Sequence, residues 1–197
     1  MAIRILLASS NPGKLREYRE LAAGTALEVE LLANFQKIPE FEESAPTFAE
    51  NSAGKALHFS RFTDETLLAD DSGLVVPALG GAPGVHSARY AGPNATSADR
   101  VRKLLGEMAG KTGGERRARF VCVIAVARQG RALAVVSDCA PGTIASEPRG
   151  ANGFGYDPVF CFPGAGRTYA EASSEEKNLQ SHRGKAFRKL IAFLTSY

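Results

Sequence analysis

Phe120-Val121-Cys122-Val123-Ile124-Ala125-Val126-Ala127, followed by Arg128-Gln129-Gly130-Arg131 and then Ala132-Leu133-Ala134-Val135-Val136, decides the fold class. Two runs rich in β-branched residues flank a short Gly-containing turn, Gln129-Gly130-Arg131. That pattern reads as an antiparallel hairpin. Upstream the rhythm is different. A buried strand over 3–7 meets the turn Ser9-Ser10-Asn11-Pro12-Gly13, and a helix over 14–22 follows. A short strand over 29–32, a polar connection over 34–46 and a helix from Thr47 to about Phe62 continue the alternation. The Thr47-Phe48-Ala49-Glu50 pattern is a helix-start signal. A strand over 66–69 is expected to stop at Asp70-Asp71-Ser72-Gly73, and another is expected over 74–76. Strand–helix alternation early and a hairpin late predict an α/β protein with a mixed sheet flanked by helices.

The remaining segments fit that frame. Val101, Leu104, Leu105 and Met108 recur at helical spacing over 99–108. A short strand is expected over 143–145, and 149–155 is a Gly-rich loop. Ser173 and Glu176 form a second capping box, and Phe187, Leu190, Ile191 and Leu194 give the last helix a narrow apolar face. There is no internal repeat, low-complexity tract or linker. One continuous domain over 1–197, with two lobes, is expected.

Composition narrows the function classes. The chain has 197 residues, 44% hydrophobic and 23% charged, with a net charge of +3. Disorder needs fewer apolar residues and more net charge. A disulfide scaffold needs more than 3 Cys. A charge of +3 is too small for bulk binding to a nucleic-acid polymer, yet compatible with a local pocket for a small anion. The run Met1-Ala2-Ile3-Arg4-Ile5-Leu6-Leu7-Ala8 turns polar at Ser9, too soon for a signal-peptide core. No apolar run approaches the length of a membrane span. Cys122, Cys139 and Cys161 lie within or beside apolar runs and read as buried free thiols of a reducing cytosol. A cytoplasmic protein away from membranes is expected.

Several clusters could carry chemistry. Ser9, Ser10, Asn11, Pro12, Gly13 and Lys14 join a strand to a helix. Backbone N–H groups at a helix start attract phosphate, and a Lys adds a full charge. The competing reading is an ordinary turn with Asn11 as cap and Pro12 opening the helix. Asp70 and Asp71 follow an apolar strand, where two carboxylates call for positive compensation. Mg²⁺ suits such a site because it takes oxygen ligands and shares them with substrate phosphates. Adjacent strand residues face opposite ways, so the two need not hold one ion. Of the acidic group Glu40, Glu42, Glu43 and Glu50, the last is explained by capping with Thr47.

Asn152-Gly153-Phe154-Gly155-Tyr156-Asp157 offers an aromatic face for stacking on a nucleobase, or else a β-turn with core aromatics. Lys177, then Ser181-His182-Arg183-Gly184-Lys185, gathers basic residues at a break between helices. Such residues can donate to base carbonyls and phosphates. A solvated basic helix start is the alternative, and helix N-termini disfavour cations.

Residues 9–14, 47–51, 68–73 with 80–92, 150–160, and 176–184 continuing to Leu190 together resemble the inosine triphosphate pyrophosphatase family, in that family's order and over nearly the whole chain. The resemblance implies an elongated mixed sheet in two lobes with the active-site cleft between them. It implies that Ser9 to Lys14 form the triphosphate loop, and that Glu43 and Asp71 are the Mg²⁺-linked carboxylates. Asp71 is also the implied proton acceptor. Ser72 is an implied substrate contact, and Phe154, Gly155, Tyr156 and Asp157 the nucleoside-binding segment. Lys177, His182 and Arg183 are implied to recognise a 6-keto purine. Glu43 is chosen over Glu42 by counting back from Thr47-Phe48. Ala140-Pro141 stands where the family pattern is more acidic.

The expected reaction is cleavage of ITP, dITP or XTP to the monophosphate and pyrophosphate, by a homodimer. A Maf-like nucleotide pyrophosphatase is an alternative, though it does not predict the Ser-His-Arg segment. A non-catalytic nucleotide-binding module is another, and it needs neither Asp70-Asp71 nor magnesium.

Overall fold

The structure is a computed structural model describing residues 3–164 and 166–196. Met1 and Ala2, which open the N-terminal apolar run, lie outside the described residues. The fold is α/β. Six strands form one sheet: β1 (Ile3–Leu7), β2 (Leu27–Leu31), β3 (Thr66–Val75), β4 (Arg117–Arg128), β5 (Arg131–Ile144) and β6 (Phe160–Cys161). Their order is β2-β1-β3-β4-β5-β6. β1 runs parallel to both β2 and β3, with Ile5 opposite Val29 and Leu7 opposite Leu68. β5 and β6 are antiparallel, so the sheet is mixed. Among the described residues five α-helices accompany it: α1 (Pro12–Ala22), α2 (Phe48–Phe59), α3 (Ser97–Glu107), α4 (Ser174–Gln180) and α5 (His182–Leu194).

The chain divides into two compact units. The first comprises Met1–Asp71, Cys122–Asp138 and Arg183–Tyr197, and the second Ser72–Val121 and Cys139–His182. Within the first unit the sheet is covered on both faces. Ile5, Leu7, Val29 and Leu68 pack with Tyr18 of α1 and Phe187 and Leu190 of α5. Leu6, Ala8, Leu67 and Ala69, which alternate with them, pack with Ala56 and Phe59 of α2. Double coverage explains why these strands read as continuous apolar runs. In the second unit, Val101 and Leu104 of α3 and Met108 just after it join Leu74, Phe120, Ile144 and Phe160 around Tyr156 and Tyr169.

Several expectations change. The predicted hairpin is present, and both strands are longer than the apolar runs that betray them. Gln129 and Gly130 have φ of 50° and 75°, the left-handed pair that suits a two-residue hairpin turn. The segment 143–145 supplies the end of β5 instead of a separate strand. The largest correction concerns Asp70-Asp71-Ser72-Gly73. These residues do not end a strand; they lie inside β3, which absorbs the strand expected at 74–76. Their polarity suggests a turn, but ladder pairing overrides it, because both carboxylates find partners in the first unit. Cys122 and Cys161 are buried as expected, whereas Cys139 is exposed on β5.

Candidate active site

The parallel register of β1 and β3 brings the turn after Leu7 beside the middle of β3. Ala8 N–H donates to the Leu68 carbonyl at 2.9 Å, so the start of α1 comes next to Asp70. Asn11 caps that helix, its side-chain oxygen accepting the Gly13 and Lys14 N–H groups at 2.9 and 3.3 Å. Ser9 Oγ accepts the Asn11 N–H at 3.1 Å, and Pro12 opens the helix. The turn is therefore held by its own hydrogen bonds, and Lys14 is the cation it presents. Ser10 and Pro12 are exposed, and Gly13 is buried.

Asp70 is 1% exposed and Asp71 6%. Strand alternation sends the two to different surroundings. Asp70 receives Lys14 Nζ at 2.8 Å and Arg183 Nη2 at 3.4 Å. Arg183, at the start of α5 and 2% exposed, also pairs with Glu17 of α1. Burial pushes Asp70 toward protonation, but Lys14 and Arg183 more than reverse this and hold its pKa at about 2. Asp70 is a permanent anion locked in a buried network.

Asp71 is the opposite case. Burial and the nearby charge of Glu43 raise its pKa to about 6, with Lys14, Lys55 and a hydrogen bond to Asn51 opposing the rise. Its Oδ2 is buried and has no hydrogen-bond partner among the described residues. Glu43 is half-buried and pairs with Lys55, while Glu40 and Glu42 are exposed. Lys55 Nζ also donates to the Asp70 carbonyl at 3.4 Å. Two adjacent carboxylates of one strand are thus driven to different protonation behaviour. Glu50 caps α2 with Thr47, as its spacing predicts.

In the second unit, Ser72 is half-buried on β3. The 152–157 loop is tied by Asp157, whose Oδ2 accepts the Phe154 N–H at 2.8 Å and Lys177 Nζ at 2.6 Å. Gly153 has φ of 75°, and a Cβ there would overlap the Asp157 carboxylate, so only glycine fits. Gly155 also has a left-handed φ of 65°. Phe154 is half-buried, with Lys177 Nζ 5.0 Å from its ring centroid. Tyr156 is buried and donates its hydroxyl to the Ser87 carbonyl at 2.9 Å, so it anchors the loop. His182 stacks on Phe120, ring centroids 4.6 Å apart and planes within 11°. Lys177, His182 and Arg183 are all buried, which disposes of the solvated helix-start alternative.

Three residues that sequence reading passed over belong to the first-unit cluster: Glu17, Asn51 and Lys55. Their only signal was spacing. Glu17 follows Lys14 by three, and Asn51 precedes Lys55 by four, so each pair shares one helix face.

The Ham1 family profile matches residues 5–193. A dITP/XTP pyrophosphatase of Geobacillus kaustophilus is 51% identical, over 94% of this chain and 91% of that protein. One of the same name from Desulfotalea psychrophila is 46% identical, over 95% and 83% respectively. Among solved structures, a HAM1 protein from Coxiella burnetii superposes with a TM-score of 0.87 at 43% identity and full coverage of both chains. The Staphylococcus aureus Ham1 protein gives 0.85 at 38% identity, covering 98% of each.

Proposed function

The chain belongs to the Ham1 family, and on that premise we propose that it hydrolyses dITP, XTP and ITP to the monophosphate and pyrophosphate, clearing non-standard purines from the nucleotide pool. It is a hydrolase of phosphoanhydrides. The observation that carries the reading is the split between Asp70 and Asp71 in the first unit. Asp71, with a buried Oδ2 that has no hydrogen-bond partner among the described residues, stands next to an anion fixed by Lys14 and Arg183.

Each residue then has a physical task. Lys14 and Lys55 offset the charge of the triphosphate. Asp71 accepts a proton from water, and its buried Oδ2, which has no hydrogen-bond partner among the described residues, supports that role. The water oxygen bonds to the α-phosphorus, the bond to the α,β-bridging oxygen breaks, and pyrophosphate leaves. Asp70 stays ionised throughout and keeps Lys14 in place.

Glu43 and Asp71 fit a hard divalent cation such as Mg²⁺: both present oxygen, their charges oppose each other, and Asp71 Oδ2 is orphaned. No group of three or more His, Cys, Asp or Glu side chains that could hold a metal gathers among the described residues. Two carboxylates plus substrate phosphates is the ligand arrangement Mg²⁺ accepts. When bound, it neutralises phosphate charge and orients the chain of phosphates.

Phe154 is the proposed stacking surface for the base, worth about 1–3 kcal/mol. Lys177, His182 and Arg183 supply donors for the 6-keto oxygen, where adenine carries an amino group. A homodimer is part of the proposal, supported by exposed Leu133 and Val135 on β5. No helix among the described residues is long and apolar enough to cross a membrane. A cytoplasmic setting is supported by three cysteines that remain free thiols.

The test is product identification with ITP, XTP, dITP, GTP and ATP, with and without Mg²⁺. Pyrophosphate from the first three, only with Mg²⁺, is expected. Release of orthophosphate sinks the bond assignment, and equal turnover of ATP sinks the base selectivity.

A further inference from the structure

Asn51, Gly54, Lys55 and His58 recur at i, i+3, i+4 and i+7 and share one face of α2. The acidic segment 39–45 is held against that face in reverse order. His58 Nε2 lies 2.7 Å from the Pro39 carbonyl oxygen. The Phe41 ring packs on the His58 ring, centroids 5.9 Å apart at 44°. A Cβ on Gly54 would overlap Phe41 Cζ and stand 3.0 Å from Cε2. Lys55 pairs with Glu43. Asn51 closes the series: its Oδ1 accepts the Ala45 N–H at 3.0 Å and its Nδ2 donates to the Ala45 carbonyl at 3.2 Å. Asn51 also hydrogen-bonds Asp71. One helix face therefore touches the segment on both sides of Glu43, touches Glu43 itself, and touches Asp71.

Gly54 is the informative member. It sits inside a helix with no left-handed φ, so no turn requires a glycine there. Glycine in a helix interior costs about 1 kcal/mol relative to alanine. What it gains is contact with Phe41. A short segment that carries a ligand must be fixed by its surroundings, and outer contacts of that kind typically govern metal affinity by about 10–100-fold.

We propose that this face of α2 is a clamp that positions Glu43 beside Asp71, and that the missing side chain at Gly54 is what allows Phe41 to seat. Gly54 is thus a positioning residue for divalent-cation binding. The proposal rests on the reading of Glu43 and Asp71 as a cation pair.

The experiment uses Gly54→Ala in the full chain. Mn²⁺ binding is followed by EPR in the presence of α,β-imido-ITP, and the Mg²⁺ dependence of pyrophosphate release is measured alongside. Mn²⁺ affinity is expected to fall about 10-fold or more. The Mg²⁺ concentration for half-maximal rate should rise by the same factor, with kcat at saturating Mg²⁺ within about three-fold of wild type. Phe41→Leu in the Gly54→Ala background should recover part of the loss, because the overlap is gone. If Gly54→Ala does not fold, Phe41→Leu alone carries the test and should weaken Mn²⁺ in the same direction. Metal curves superimposable on wild type overturn the proposal, as does a kcat defect that no Mg²⁺ concentration repairs. A wild-type enzyme indifferent to divalent cations defeats the cation-pair reading itself and the clamp with it.

Discussion

Asp71 carries a cost that can be measured. Its carboxyl has a pKa of about 6 in the folded protein because of burial and Glu43, against about 3.9 in an unfolded chain. A raised folded pKa means the associated stability is complete below the unfolded value and lost as pH rises through 6. Above that, ionised Asp71 destabilises the metal-free fold by on the order of 2–3 kcal/mol. Asp71→Asn removes the charge at equal size. In urea unfolding with EDTA, the variant should be more stable than wild type by about 2 kcal/mol at pH 7.5 and indistinguishable from it near pH 3.5. Turnover should drop by about 10²–10⁴-fold. A variant that keeps full rate removes Asp71 from the chemistry. Individual residues were legible in the sequence to the extent that their type was unusual for their place: Lys14 after a glycine turn, two aspartates after Leu67-Leu68-Ala69, a His-Arg pair opening a helix. Lys55 and Glu17 were not, because a lysine or glutamate in an amphipathic helix is the ordinary occupant of a solvated face. Only their tertiary partners distinguish them.

At the level of elements, the hairpin and the helix starts at Thr47 and Ser173 are encoded locally and are legible for that reason, whereas α1 and α3 each begin two residues ahead of the expected start. Thr47 and Ser173 cap helices through side-chain bonds made within three residues. The Gln129-Gly130 turn is likewise a local solution, and it is not optimal. Gln129 holds φ at 50°, a region that asparagine tolerates better than glutamine. Gln129→Asn should raise stability by about 0.5 kcal/mol, seen as a small upward shift in Tm without change in rate. Part of the gain is set against loss of the Gln129 Nε2 bond to Asp64 Oδ1 at 3.0 Å, which is exposed. β3 is the element whose extent local sequence hides. Its aspartates look like turn residues in any short window, and what compensates them in a strand lies elsewhere in the chain: Lys14, Asn51, Lys55 and Arg183.

For the molecule as a whole, three strands run across the division into units, at Asp71–Ser72 in β3, Val121–Cys122 in β4 and Asp138–Cys139 in β5. A strand cannot melt over half its ladder without disturbing the other half. We therefore expect one calorimetric transition with matching van't Hoff and calorimetric enthalpies. Two resolved peaks would show that the units fold separately, against the single domain expected from the unbroken sequence. β3 also determines where the chain tolerates a change of length. Its side chains alternate, so whether a carboxylate meets Lys14 and Arg183 or Glu43 is a matter of odd or even count along the strand. Inserting or deleting one residue within β3 ahead of Asp70 reverses the parity. An insertion brings Asp70 to the place of Asp71, toward Glu43, and leaves no carboxylate before Lys14 and Arg183; a deletion brings Asp71 before Lys14 and Arg183 and leaves Ser72 toward Glu43. Two-residue changes preserve the parity. The strand behaves as a binary selector, and the loops outside it are where length variation is free.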